Sequence, residues 1–311
     1  QPRAPAAGAL VIPGAALGVH GGMSMARCAF LTLEEPLDFY IYDRLLVEPF
    51  AAAGWEVREL PWSEPAVDWS SFEAVIVRST WDYQNHLEPF LQTLERIESQ
   101  TRLFNSLAIC RWNSNKRYLK DLEGRGVPIV PSRWLEQLDS RQIEEGFATF
   151  QDQRLVVKPL VGANSDNAFV LEAGNAGDWE EATAVFRDQP LIMQPFLPGI
   201  CDEGEYSLFY FGGEFSHAIR KRPAAGDFRV QEEHGGQIAT WEASPSLRAA
   251  ADHALAALGE TQLYARVDLV GHGGDWLLME VELIEPSLYF EQCPGSPEHF
   301  TRVFLDLMRR R

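Results

Sequence analysis

Residues 266–288 read RVDLVGHGGDWLLMEVELIEPSL, two apolar strands joined by a glycine-rich turn. Alternation along a strand puts Arg266 and Asp268 on one face of the first strand, and Glu280 and Glu282 on one face of the second. An odd number of residues in the turn would bring both pairs to the same face of the hairpin. Three crowded carboxylates favour Mg²⁺ or Mn²⁺, bound jointly with phosphates. The alternative interpretation is an acidic, solvent-exposed edge strand.

The composition describes an acidic globular protein. The chain has 311 residues, of which 46% are hydrophobic, so it can bury a large core and is long enough for about two domains. Its 27 basic and 45 acidic residues give a net charge of −18. This charge argues against nucleic acid and anionic membrane surfaces as partners. The four cysteines show no CxxC or metal-binding spacing, which favours packing roles and a reduced, cytoplasmic location.

Residues 1–24 differ from the rest because they consist mainly of alanine, glycine and proline. Their weak apolar stretch is interrupted by Pro13 and Gly14, so it is too short to span a bilayer. The first credible strand begins only after Met23 and Met25. We therefore expect this segment to be a disordered upstream extension without function.

From residue 25 the pattern alternates between strand and helix. Strands are predicted at 28–33, 56–60, 74–78 and 102–104, with helices at 40–53 and 87–98. This order predicts a doubly wound α/β unit with parallel strands, whose ligands gather at the carboxyl ends of the strands. The residues predicted to form a substrate-facing surface at those ends are Arg78, Trp81, Asp82 and Tyr83. Packing is the alternative role for the two aromatic residues.

The second region, from residue 106, has a different pattern. Helices are predicted at 114–123 and 245–258, a strand at 155–158, and a hairpin whose strands 206–211 and 214–219 meet at Gly212 and Gly213. Antiparallel strands with helices on one side make this region α+β. The predicted fold class is therefore mixed, α/β followed by α+β.

Several cations of the second region could bind phosphate. Lys116 and Lys158 approach from a helix and from a strand end, and the loop at Gly162 and Ser165 can present backbone N–H groups. Solvated lysines and an ordinary turn are the alternatives. If Gly212 and Gly213 form the turn, Glu205 lies opposite Arg220, either as an ion pair or as part of a site. Arg220 and Arg229 belong to a basic patch that could hold phosphate or a substrate carboxylate, or could be paired with nearby acids.

The region from residue 106 onward resembles the ATP-grasp ligases. GDFRVQEEHGG, RVDL and MEVE are similar to segments of the ribosomal-protein glutamate ligases and bacterial glutathione synthetases. WDYQNH, VVKPLVGANS and MEVELIEPSLYF also resemble the group of cyclases that form cycloserine. The resemblance implies an ATP-grasp domain at 106–311, made of two α+β subdomains that divide near 194–200. It also implies an N-terminal α/β domain at 25–105.

The resemblance implies a role for each matching residue. Lys116, Lys158, Gly162 and Ser165 would bind the ATP phosphates, and Glu205 the ribose. The residues that would meet the adenine at a hinge are Gln194, Pro195, Phe196 and Leu197. One or two Mg²⁺ (or Mn²⁺) ions would be held by Asp268, Glu280 and Glu282. Arg266, with Arg220 and Arg229, would stabilise the transferred phosphoryl group. Glu285 and Ser287 would face the acceptor substrate. Glu282 departs from the usual asparagine, which leaves the number of ions open.

The functional expectation is a cytoplasmic, ADP-forming carbon–nitrogen ligase that uses ATP and Mg²⁺. Phosphorylation would activate a small-molecule carboxylate or carbonyl oxygen for attack by an amine, either from a second substrate or within one molecule. A small-molecule kinase and a non-catalytic ATP-binding module are the alternatives. HExxH, GxSxG and GxxxxGK[ST] motifs do not occur. The sequence is compatible with a homo-oligomer.

Overall fold

The computed structural model describes residues 25–34, 42–162, 166–224, 229–230 and 235–310. The expectation for residues 1–24 and the predicted phosphate contact of Ser165 therefore lie outside the described residues. No helix in these ranges is both long and apolar enough to cross a membrane. No disulfide joins any of the four cysteines.

The first sheet confirms the predicted α/β unit. Its strands are parallel, in the order β2-β1-β3-β4. They are β1 (Ala26–Thr32), β2 (Trp55–Pro61), β3 (Ala74–Ser79) and β4 (Arg102–Phe104). The helices are α1 (Val47–Ala52), which follows a short 3-10 helix, and α2 (Leu87–Glu98). Phe50 of α1 packs on one face of the sheet and Phe90 of α2 on the other, so both faces are buried and the central strands are continuously apolar.

Two short helices lead out of the first sheet where one helix, 114–123, was predicted. They are α3 (Leu107–Asn113) and α4 (Tyr118–Gly124). The Ser106 hydroxyl caps α3 by accepting a hydrogen bond from the backbone N–H of Ile109 (3.3 Å), so the helical segment begins earlier than predicted. The break between the helices places Ser114 and Lys116 at a junction instead of inside one helix.

The second sheet is antiparallel, in the order β5-β8-β6-β7. Its strands are β5 (Arg133–Leu135), β6 (Arg154–Pro159), β7 (Phe169–Glu172) and β8 (Leu191–Pro195). The helices α5 (Ser140–Phe150) and α6 (Ala176–Val185) supply Ile143 and Ala182 to the apolar cluster of this sheet. A helix layer against an antiparallel sheet agrees with the predicted α+β character.

The third sheet carries the hairpin of residues 266–282. It is antiparallel, in the order β11-β10-β9-β12-β13. In chain order the elements are α7 (Gly199–Asp202), β9 (Glu205–Phe211), β10 (Glu214–Arg222), β11 (Gln237–Thr240), α8 (Pro245–Ala256), β12 (Tyr264–His272), β13 (Asp275–Glu282) and α9 (Ser296–Arg309). One face packs against α4 and α8, and the other faces α9 and the first sheet.

Two β-bulges determine which side chains share a face of the third sheet. In β10, Ser216 is unpaired, so Glu205 lies opposite Lys221 and the predicted pairing of Glu205 with Arg220 is wrong. In β13, Met279 is unpaired. The Gly273–Gly274 turn alone has an even number of residues, and the extra residue at Met279 brings the acidic and basic positions of the hairpin opposite one another.

Candidate active site

A cleft lies on the face of the third sheet that is turned toward the first sheet. The other walls of the cleft are formed by the end of β3, the α3–α4 junction and the end of β6. The cleft brings together most of the predicted site residues. Those that line it are Trp81, Tyr83, Lys116, Lys158, Gly162, Glu205, Arg266, Asp268, Glu280, Glu282, Glu285 and Ser287. Residues from three sheets therefore converge on one site.

The hairpin β12–β13 forms the floor of the cleft. Arg266 lies opposite Glu282, and Asp268 lies opposite Glu280. The Arg266 guanidinium donates hydrogen bonds to both Asp268 carboxylate oxygens (3.1 Å) and is also paired with Glu282. The hydroxyl of Ser207, on the neighbouring strand β9, donates a hydrogen bond to Asp268 (2.5 Å). The floor is therefore a buried network of alternating charges.

Lysines approach this floor from two sides. Lys116 Nζ lies 3.0 Å from Glu280 Oε1 and donates a hydrogen bond to the Gly162 carbonyl (2.9 Å). Lys221 Nζ lies 3.0 Å from Glu205 Oε1 and 3.8 Å from Asp268 Oδ1. Lys158 makes no hydrogen bond or ion pair with any residue of the described ranges. Its ammonium group is thus the one most available to an incoming anion.

Burial and neighbouring charge shift the pKa values of these groups. Burial raises the pKa of Glu282 to about 7, against the opposing effect of Arg266. Burial also raises the pKa of Glu285, and Glu282 adds to the effect. For Asp268, burial alone would raise the pKa, but Arg266 and Lys221 outweigh it and lower the pKa. Burial and the nearby Lys116 lower the pKa of Lys158.

The carboxylates of the hairpin are neutralised by cations of the same chain. Within the described ranges, no group of three His, Cys, Asp or Glu side chains is arranged to hold a metal ion. Glu280 is held by Lys116, and Asp268 and Glu282 are held by Arg266. The donor chemistry nevertheless fits Mg²⁺ or Mn²⁺, because three carboxylates share one face of the hairpin. Holding an ion would require these carboxylates to exchange a cationic side chain for the metal.

Side chains from α3 and α4 support the open edge of β13. The Asn113 side chain donates a hydrogen bond to the Val281 carbonyl (2.8 Å) and accepts one from the Leu283 N–H (2.9 Å). The Tyr118 hydroxyl accepts a hydrogen bond from the Val281 N–H (2.9 Å). These bonds replace a further strand, and they fix the backbone on both sides of Glu282.

Some predicted site residues do not line the cleft. Arg220 lies on the opposite face of the sheet, with its guanidinium 4.3 Å from the centre of the Trp241 ring, because of the bulge at Ser216. Arg229 is half-buried outside the cleft lining. The Asp82 carboxylate accepts a hydrogen bond from Trp62 (2.7 Å).

The predicted hinge residues lie at the exit from β8, outside the cleft lining. Gln194 donates a hydrogen bond to the Ser132 hydroxyl (2.9 Å). The Arg154 guanidinium lies 3.8 Å from the centre of the Phe196 ring, and Leu197 packs in an apolar cluster. These residues connect the second sheet with the third.

Sequence reasoning missed several residues of the site. Lys221 was not among the predicted site residues, because regular pairing of β9 with β10 would turn its side chain away from Glu205. Asn113 carries no sequence signal, since its role depends on backbone atoms distant in the chain. The other residues that line the cleft but were not predicted are Ser114, Pro159, Asp166, Met279, Val281 and Tyr289.

Two family models match the chain. The N-terminal domain of D-cycloserine synthetase DcsG matches residues 28–105, and the ATP-grasp domain of prokaryotic glutathione synthetase matches residues 133–290. The cycloserine biosynthesis protein DcsG of Streptomyces lavendulae is 32% identical over 279 residues, which cover 85% of this chain and 93% of that protein.

Solved structures show the same architecture. The crystal structure of D-cycloserine synthetase DcsG has a TM-score of 0.82 and 29% identity, and the match covers 91% of this chain and all of that one (100%). D-alanine–D-alanine ligase of Bacillus anthracis has a TM-score of 0.65 at 16% identity, covering 91% of this chain and 96% of that one. Members of this family use ATP and Mg²⁺. The chain belongs to the ATP-grasp family, within which it is similar to the cycloserine synthetases, and it is an ATP-dependent, ADP-forming carbon–nitrogen ligase.

Proposed function

We propose that this ligase closes a ring within one small substrate. ATP phosphorylates a carboxylate or carbonyl oxygen of the substrate, and a nitrogen of the same molecule then attacks the activated carbon. One observation carries the proposal: two lysines, Lys116 and Lys158, and a carboxylate-bearing hairpin line the same cleft as Trp81 and Tyr83. The two aromatic residues belong to the segment that matches the N-terminal domain of D-cycloserine synthetase.

The ATP phosphates lie, in this proposal, between Lys116 and Lys158. Support comes from their positions, since one ammonium group approaches from the α3–α4 junction and the other from β6, and both line the cleft. Gly162 brings backbone close to the phosphates, and Ser165, three residues later in the sequence, stays a candidate for the same contact. Glu205 binds the ribose, and residues 194–197 meet the adenine. The division of the chain at residue 105 and near 194–200 stays a prediction.

Asp268, Glu280 and Glu282 are the residues proposed to hold Mg²⁺ (or Mn²⁺). The ion, when bound, would supply charge neutralisation at the β- and γ-phosphates. Arg266 is paired with two of these carboxylates, those of Asp268 and Glu282. We propose that its guanidinium stabilises the charge on the transferred phosphoryl group. Arg229 stays a candidate for the same role from the loop that follows β10. Arg220 has no part in the proposal because it faces the other side of the sheet.

The reaction has two steps. The substrate oxygen attacks the γ-phosphorus, the bond to the β–γ bridging oxygen breaks, and ADP leaves. The substrate nitrogen then attacks the carbon of the acyl phosphate, inorganic phosphate leaves, and the nitrogen releases a proton. Holding both reacting groups in one cleft can remove roughly 7–11 kcal/mol of the barrier. The chain therefore needs no serine or cysteine nucleophile.

The test is a screen of amino acids and small carboxylates, with ATP and Mg²⁺, for the release of ADP and phosphate. Lys158→Met and Glu280→Gln are expected to lower turnover by about 100-fold or more, as loss of charge-stabilising groups does. Lys120→Met, which removes an exposed lysine of α4, should leave turnover unchanged. Undiminished turnover in either site variant would show that the site assignment is wrong.

Product analysis separates the possible reactions. Ring closure predicts a product lighter than its single substrate by one water molecule, together with free phosphate. A second substrate incorporated into the product would indicate ligation between two molecules. A stable phosphorylated product without free phosphate would indicate a kinase.

A further inference from the structure

The candidate metal ligands of the cleft are already paired with cations of the chain. Glu280 Oε1 lies 3.0 Å from Lys116 Nζ. The Asp268 carboxylate lies 3.1 Å from the Arg266 guanidinium, which also pairs with Glu282. In the part of the chain that the structure describes, no three carboxylate, histidine or cysteine side chains are grouped so that they could hold a metal ion. A divalent ion that enters this cleft must therefore displace a cationic side chain.

The two cations differ in the number of charged partners that hold them. Arg266 donates hydrogen bonds to both Asp268 oxygens (3.1 Å) and is paired with Glu282, so its planar guanidinium is fixed by two carboxylates. Lys116 has one carboxylate partner, Glu280, and its second hydrogen bond goes to the uncharged Gly162 carbonyl (2.9 Å). Lys116 is therefore the cation that leaves its carboxylate more readily.

The Lys116 side chain can change partners while its backbone stays in place. The Lys116 N–H donates a hydrogen bond to the Leu160 carbonyl (2.8 Å), which fixes the α3–α4 junction against the end of β6. A lysine ammonium is a compact charge on a flexible four-carbon chain. The side chain of Glu280 is 28% exposed, against 4% for Asp268, so an ion from solvent reaches Glu280 before Asp268.

Exchange at Glu280 is costly for a free ion because it leaves the Lys116 ammonium without a counterion. Lys116 is buried, and a desolvated charge is much less stable alone than paired. A phosphate placed between Lys116 and Lys158 provides the ammonium with a new partner, so this cost is removed when a nucleotide is present. Two ligands that favour the same rearrangement bind cooperatively, with a coupling of roughly 5- to 150-fold.

We propose that Lys116 makes the divalent-ion site depend on the nucleotide. In the empty protein, the ammonium of Lys116 neutralises Glu280, so free divalent ions bind weakly. The nucleotide phosphates attract the ammonium, and Glu280 becomes available as a metal ligand. The inference rests on the proposed function, and it adds an order of binding, in which the ion enters with the nucleotide or after it.

Binding of Mn²⁺ without nucleotide tests the proposal. The full chain is titrated with Mn²⁺, and electron paramagnetic resonance measures the free ion. Lys116→Met should bind Mn²⁺ about tenfold or more tightly than the parent, because the substitution frees Glu280. Lys158→Met is the matched control. It removes the same charge from the same cleft but breaks no ion pair within the described residues, so its gain in affinity should be smaller.

Nucleotide should remove the difference between the parent and Lys116→Met. At saturating ADP the parent's Lys116 contacts phosphate, so the two proteins should bind Mn²⁺ with Kd values within about threefold of each other. A double-mutant cycle assigns the effect to one ion pair, because Lys116→Met should no longer tighten Mn²⁺ binding in a Glu280→Gln background. Lys116→Gln, whose amide can keep the hydrogen bond to Gly162, should give the same gain as Lys116→Met.

Each outcome decides a separate question. If calorimetric titration shows that the parent does not bind ADP with Mg²⁺, the proposed function is wrong and the inference falls with it. If the parent binds ADP, but both Lys116 variants bind free Mn²⁺ no better than the parent or not at all, the inference alone is refuted. An equal gain in Lys158→Met also refutes it, because the loss of any positive charge would then explain the gain. Equal melting temperatures of the variants would show that the fold is unchanged.

Discussion

Arg266 is the residue on which the charge balance of the cleft depends. It lies opposite Glu282 and donates hydrogen bonds to Asp268, so one guanidinium neutralises two carboxylates. All three are candidates for contact with ATP or its metal ion. We therefore expect Arg266 to link the stability of the protein to the binding of a divalent cation at the proposed site.

Arg266→Gln should lower the free energy of unfolding by about 3–5 kcal/mol in the presence of EDTA, because it leaves the buried Asp268 and the half-buried Glu282 without their guanidinium partner. Mg²⁺ should restore part of this loss in the variant, and it should stabilise the variant more than the parent. Urea unfolding with EDTA and with Mg²⁺ measures both effects.

The matched control for this prediction is Arg302→Gln. Arg302 forms an exposed ion pair with Glu214, so its loss should cost less than about 1 kcal/mol and show no dependence on Mg²⁺. If the Arg266 variant were equally unstable with and without Mg²⁺, the carboxylates would not be metal ligands.

His217 should make stability depend on pH. It is buried, its ring stacks 4.3 Å from that of Phe209, and Nε2–H donates a hydrogen bond to the Leu288 carbonyl (3.0 Å). Burial lowers its pKa to about 4. The unfolded chain, with a His pKa near 6.5, binds more protons between these values, so stability falls as the pH falls from about 6.5 toward 4.

We expect His217 to account for about 2 kcal/mol of the stability lost between pH 7 and pH 5. Urea unfolding of the parent and of His217→Gln at the two pH values measures this contribution, which the variant should lack. An equal loss of stability in both proteins would assign the pH dependence to other groups.

The face on which a side chain lies could be predicted from the sequence within a regular strand. It could not be predicted beyond a bulge. Alternation was enough to group Asp268 with Arg266, and Glu280 with Glu282, because each pair lies within one strand. Lys221 was missed because a single unpaired residue reverses the faces of a strand. Ring stacking and desolvation, which govern His217, depend on residues distant in the chain.

At the scale of elements, the predicted third sheet differs from the observed one in its register, because β10 and β13 each contain a bulge. The strands, their antiparallel order within each hairpin and the helix at Pro245–Ala256 follow from local patterns. The bulges at Ser216 and Met279 do not, since neither residue type marks a bulge. The register of the site was therefore less predictable than its elements.

The edge of β13 offers a test of how an element is held in place. Asn113→Ala removes one hydrogen bond to the β13 backbone and one to Leu283, just after the strand, and should cost about 2–4 kcal/mol, because buried backbone groups lose their partners. Tyr118→Phe removes one and should cost about 1–3 kcal/mol. Asn175→Ala, at an exposed site, is the control. Urea unfolding measures all three, and equal costs would contradict this account.

At the scale of the whole molecule, an aromatic cluster joins the first and third sheets. Phe304 of α9 is fully buried and packs 4.9 Å from the rings of both Phe50 and Trp55. The same cluster includes Phe209 of β9. The second sheet has an apolar cluster of its own. We therefore expect the first and third sheets to unfold together.

Phe304→Ala should cost about 3–5 kcal/mol, because it opens a cavity between α9 and the first sheet. Amide hydrogen exchange should show equal losses of protection in β3 and β9, and a smaller loss in β6, whose apolar cluster lies elsewhere. Arg309→Ala, an exposed change on the same helix, should leave protection unaltered. Protection lost in α9 alone would mean that the first and third sheets fold independently. The first sheet would then be free to move relative to the hairpin β12–β13, which it faces across the cleft.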